Sequence, residues 1–193
     1  MSSMADPYYT PRFDSPYPET WSKISHFEFD TPLWLVRATE AIKGAEDSDR
    51  ETQYVVAEDY TVSFLVDERL PRWQITVPKG MLTDLTSVPR VGRWFVGRVG
   101  PHLEAAIVHD FLFIAWQDPE GREPKVRDFE FANEVMRVAM KQAKVHIFKR
   151  RVIITAVSSF VGWSIFRERD AKPRYIRVPD DLDAASRAVA VID

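Results

Sequence analysis

The chain has no cysteine among its 193 residues. That excludes disulfides, thiolate metal sites and a cysteine nucleophile, and it fits a protein made in a reducing cytosol. Histidine is scarce, with four in all, which argues against a zinc centre. There is no H-E-x-x-H pair, no Walker loop and no G-x-S-x-G elbow, so Ser87 is not read as a nucleophile. The net charge of -3 is too small to imply a nucleic-acid or membrane partner, and no specific nucleic acid is expected. The opening "MSSMADPYYTPRF" has neither a basic start nor an apolar run, so no secretory signal is read there. The uncharged run "VIITAVSSFVGWSIF" (152–166) falls short of the ~20 residues that a membrane span needs. It is read as a buried core helix, ahead of a segment touching a membrane.

Apolar residues make up 45% of the chain, enough for one globular domain with one core. Residues 1–24 are rich in Pro, Tyr and Ser and show no helical period, so they read either as an extended arm, ordered on a partner or on its own domain, or as a disordered terminus. Three segments then read as strands: "PLWLVRA" (32–38), "TQYVVAEDYTVSFLVD" (52–67) with a turn or bulge at "AED", and "RWQITVP" (72–78). Three helix-length segments follow at 102–117, 126–144 and 146–169. Strands first and helices afterwards predict an α+β domain over 25–169. The expected form is a small antiparallel β-sheet or meander followed by a three-helix core, with a polar C-terminal tail at 170–193.

One stretch asks a chemical question. "AAIVHDFLFIAW" (105–116) is apolar except for the adjacent pair His109 and Asp110. Positions three and four apart share a helical face. The His109 face therefore carries Ala105, Ala106, Leu112, Phe113 and Trp116, and His109 is expected to be buried. A buried imidazole needs partners for its nitrogens, and a buried carboxylate needs a cation, a metal or donors. On the next helix Asn133 is a polar residue on the stripe of Phe129, Met136 and Met140, and antiparallel packing would let it face His109. A satisfied core His–Asn pair is one reading, and an active centre is the other.

The passage before this helix bears on the choice. In "FVGRVGPHLEAAIVHD", Gly97 and Gly100 precede the helix that bears Asp110. Glycines let backbone carbonyls turn inward, and carbonyl plus carboxylate oxygens suit calcium. A calcium site of Asp110 with the Gly97 and Gly100 loop is one reading, and a tight turn before a helix is the other. In "GMLTDLTSVPR" (80–90), Asp84 reads either as a helix cap or as an orienting carboxylate or second ligand near His109.

Together "VPKGMLTDLTSVPR", "AAIVHDFLF" and "FANEVMRVAM" resemble a bacterial and phage family known as domain of unknown function 1353. Its members look like P-x-G-F/M-x-T-D-L-x-S-x-P, then H-D-W/F-L-Y/F, then A-D-x-x-F-x-x-A-M. The resemblance covers about residues 72–165. It implies a phage or prophage setting, with synthesis in the host cytoplasm and a place in the virion.

A second resemblance lies beneath the first. An H-D-x-x-Y helix followed by a D-x-x-F helix is similar to the core of phospholipase A2. That likeness implies His109 as the general base, Asp110 with the carbonyls at Gly97 and Gly100 as calcium ligands, and position 133 as the orienting residue. The sequence departs from it at three places. Position 133 is Asn, Phe113 stands where Tyr is common, and Met136 replaces Phe. Asn can hold an imidazole tautomer but cannot stabilise an imidazolium; in serine proteases the equivalent Asp→Asn change lowers kcat about 10⁴-fold. The expected function is a virion-associated structural component of a tail, neck or capsid. Its partners would be other virion proteins or further copies of itself, met through the arm, and on this reading its phospholipase-like His–Asp site would be vestigial. The alternative is a calcium-dependent lipid hydrolase acting on phospholipid, with His109, Asp84 and Asn133 as catalytic residues.

Overall fold

The computed structural model describes Tyr9, Pro11 and residues 14–37, 54–83, 101–118, 122–168 and 174–178. The fold is α+β, as strands followed by helices predict. Six strands are described: β1 (Ile24–Phe29), β2 (Leu35–Arg37), β3 (Tyr54–Val56), β4 (Tyr60–Val66), β5 (Arg69–Val77) and β6 (Leu82–Thr83). They form two three-stranded antiparallel sheets, β1-β4-β5 and β2-β3-β6, where one sheet or meander was expected. The "AED" break separates β3 from β4 and lets the chain pass between the sheets. Strand β1, "ISHFEF", lies at the boundary given to the arm and lacks clean alternation. Its register shifts between Ser25 and Glu28, with His26 at φ 52 between them.

The helices are α1 (Leu103–Ile114), α2 (Val126–Gln142), α3 (Ile147–Val157) and α4 (Phe160–Arg167), with a 3-10 turn at Ala115–Gln117 after α1. Helix α1 buries Ala105, Ile107, Val108, His109, Phe111 and Leu112, and the rest of its circumference, Ala106, Asp110, Phe113 and Ile114, is half-buried. A helix apolar on every side belongs in the centre, and α1 packs on α2 and against β5. Helix α2 is one-sided, and its Phe131 meets Phe64 of β4 at 6.0 Å between ring centroids.

The expected single helix over 146–169 is two helices. Helix α3 ends at Val157, and Ser159 starts α4 by accepting from the Gly162 N–H at 3.3 Å. A Cβ on Gly162 would lie 1.9 Å from the Val157 carbonyl oxygen, so the corner closes only on glycine. Hydrophobic periodicity runs through this corner unbroken because Ser158 and Ser159 are neutral to it.

Both flanking segments, where described, lie on the domain itself. Tyr17 is buried, and its hydroxyl donates to the Leu112 carbonyl. Trp73 Nε1 donates to the Pro16 carbonyl at 3.0 Å, and the Arg122 guanidinium stacks 4.9 Å from the centre of the Tyr17 ring. On the other side, Leu82 N–H donates to Arg174 O at 2.8 Å, and Ile176 N–H donates to Gly80 O at 2.9 Å. Tyr175 and Ile176 are buried, although the sequence reads as a polar tail from 170 onward. Arg174 pairs with Asp118 at 2.7 Å, and the Tyr175 hydroxyl donates to the same carboxylate at 3.0 Å.

The arm's contribution can be measured. Tyr17→Phe keeps the ring against Phe131 and deletes one buried hydrogen bond. It is expected to cost about 1 kcal/mol in urea denaturation, and an unchanged midpoint would show that the hydroxyl contributes nothing.

Candidate functional site

His109 and Asn133 meet in the core between α1 and α2. His109 is 1% exposed and Asn133 is 7% exposed. The Nε2–Oδ1 distance is 2.9 Å. A carbonyl oxygen only accepts, so Nε2 carries the proton and donates. That tautomer leaves Nδ1 with its lone pair, and Nδ1 has no hydrogen-bond partner among the described residues. The imidazole also lies against Phe113, 4.1 Å between ring centres and tilted by 39°. Phe113 in turn contacts Phe129 and Phe166, at 5.8 and 5.2 Å. Burial in this aromatic surround pushes the His109 pKa down to about 4, and the bond to Asn133 opposes that only in part. Near neutral pH the group is an uncharged imidazole.

Asp110 is half-buried and points elsewhere, as one further residue of helix requires. Its Oδ2 accepts from the Thr83 hydroxyl at 2.8 Å. This bond ties the end of β6 to the middle of α1. The passage that follows Thr83 holds Asp84, Gly97 and Gly100, and all three lie outside the described residues. Among the described residues no three His, Asp or Glu side chains cluster as metal ligands would. Among the described residues the carboxylate next to the imidazole is that of Asp110, and it is engaged by Thr83.

A groove of about 490 Å³ opens on the other side of Asn133. Trp21, Phe129, Ile154 and Trp163 form its apolar walls, and Glu130, Glu134 and Arg137 stand among its polar groups. Glu134 and Arg137 neutralise each other through two bonds of 2.7 and 2.5 Å. Asn133 lines the groove while its Oδ1 holds His109. A molecule in the groove would therefore meet Asn133 first, with the imidazole one layer deeper. The sequence gives no sign of this groove, because Trp21, Phe129 and Trp163 come from three segments that no single helical stripe connects.

These features define an α+β protein whose central helix carries a buried imidazole held by an amide of the next helix. A family model described as "Protein of unknown function (DUF1353)" matches residues 56–157, and the chain belongs to that family. The matched span contains Gly80, Thr83, His109, Asp110 and Asn133, and it leaves out the arm, β1, β2, α4 and the segment around Tyr175. No curated protein and no solved structure matches the chain.

Proposed function

We propose that the chain is a phage or prophage virion-associated structural component, of a tail, neck or capsid, that keeps a phospholipase-like His–Asp frame without its turnover. Its partners are other virion proteins, and it is made in the host cytoplasm and carried in the virion. The observation that supports this reading is the enclosure of His109 beside a neutral amide. A general base has to reach its water and then hold a positive charge while the reaction proceeds. His109 is 1% exposed, and its orienting neighbour is Asn133, which supplies no counter-charge. Such a pair is suited to locking α1 onto α2. Tyr17 and Trp21 pack on the chain's own domain, and assembly with other virion proteins or further copies would proceed through the rest of the N-terminal arm.

One observation favours the hydrolase alternative. Nε2 is held and Nδ1 is left with a lone pair, which is the arrangement a base requires. The two readings separate in one assay. Purified protein is incubated with mixed phospholipid vesicles, with calcium or with a chelator, beside His109→Ala and Asn133→Asp. The expected result is no fatty-acid release by the wild type above the His109→Ala background. Activity that appears only in Asn133→Asp would mark a frame that lacks its charge. Calcium-dependent release by the wild type, lost in His109→Ala, would replace the structural reading with a phospholipase A2-like enzyme.

A further inference from the structure

Helices α3 and α4 leave an unusual amount of apolar surface uncovered. Ile147, Phe148, Phe160, Val161 and Ile165 are 52, 65, 78, 56 and 53% exposed. Single exposed apolar residues are ordinary, but five large ones on two consecutive helices that pack together are not. Along the two helices themselves the charge has one sign, while Glu130 and Glu134 of α2 stand across the groove beside Ile154 and Trp163. Residues 144–167 contain Lys144, Lys149, Arg150, Arg151 and Arg167 and no Asp or Glu. Arg150, Arg151 and Arg167 form no ion pair among the described residues.

We infer that the α3–α4 face docks on an anionic lipid surface. Apolar side chains enter the boundary between headgroups and acyl chains, and neighbouring cations pair with lipid phosphates; short helices with both features lie in that interface. With 11 and 8 residues, α3 and α4 are far too short to cross, and no helix among the described residues is long and apolar enough to do so. The inference does not depend on whether His109 turns over substrate.

The test is co-sedimentation of the full chain with vesicles of pure phosphatidylcholine or of phosphatidylcholine with one quarter phosphatidylglycerol. Binding to the anionic vesicles is expected to exceed binding to the neutral ones at least tenfold, and to weaken in 0.5 M salt. Arg150→Gln and Arg151→Gln should each reduce it about fivefold, the worth of one cation near such a surface. The double variant Phe148→Ser with Phe160→Ser should abolish it while keeping the wild-type melting temperature, since both rings are solvent-exposed. The inference is overturned if the wild type ignores anionic vesicles or if the variants bind equally well. It is also overturned if the double variant loses a concentration-dependent dimer instead, which would make the face a contact between copies.

Discussion

Gly80→Ala is expected to destabilise the protein by roughly 3–5 kcal/mol, a large part of the ~5–15 kcal/mol that holds a domain of this kind together. Gly80 sits at φ +90, and a Cβ there would lie 2.1 Å from the Ile176 carbonyl oxygen and 3.1 Å from the Tyr9 ring. The left-handed backbone accounts for ~1–2 kcal/mol of the loss. The remainder comes from pushing away the segment that Gly80 holds, because its N–H donates to Val56 O at 2.7 Å and its carbonyl accepts from Ile176. Retreat of that segment would uncover Met81 and Tyr175, both fully buried. Urea denaturation checks this directly, and a variant within 1 kcal/mol of the wild type would mean that the segment yields without cost.

The second large effect is a dependence on pH. In the unfolded chain the His109 imidazole takes up a proton near its ordinary pKa of 6.5, and in the folded chain only at about 4. Between those values the unfolded state binds more protons, so stability is complete above pH 6.5 and falls as pH drops toward 4. The lost increment is about 3 kcal/mol for a shift of this size. His109→Gln keeps a donor for Asn133 and removes the titration. Its denaturation midpoint is therefore expected to fall much less between pH 7 and pH 4. Burial raises the Glu104 and Asp118 carboxyls, which adds stability as pH falls. Those groups are common to both proteins and cancel in the comparison. Parallel profiles for wild type and variant would show that His109 is not held neutral by its surroundings.

The central pair was legible because helical spacing is arithmetic. His109 falls among apolar positions at three and four residues, and Asn133 falls on the stripe of Phe129, Met136 and Met140. Two neighbouring helices bring such residues together at 2.9 Å. The family was legible from its motifs, and where these are described they fall on a restricted backbone at Gly80 and on the buried polar pair His109 and Asn133. Gly80 in "VPKG" stands at the junction of Val56, Tyr9 and Ile176. What was not legible depends on encounters between distant segments. Strand β1 is bulged and hides its alternation. Tyr175 and Ile176 stand in a polar context and take their burial from β6 and Asp118. The break at Ser158 and Ser159 leaves the apolar pattern intact, so only packing at Gly162 reveals it. Trp21 reads as part of an arm and becomes a wall of the groove on α2.

The pairing of residues 174–176 with Gly80, Met81 and Leu82 has a consequence for the order in which the protein can be completed. A chain emerging from the ribosome has made β3, β5 and the four described helices before Tyr175 is synthesised. Until then the backbone at Met81 and Leu82 lacks its neighbour, and the Asp118 carboxylate lacks both Arg174 and the Tyr175 hydroxyl. Contacts between residues this far apart in sequence carry a loop-closure cost that grows slowly with separation. The domain is therefore finished only after most of it has been translated, and a nascent chain stalled near residue 170 would present an open strand edge to whatever surrounds it.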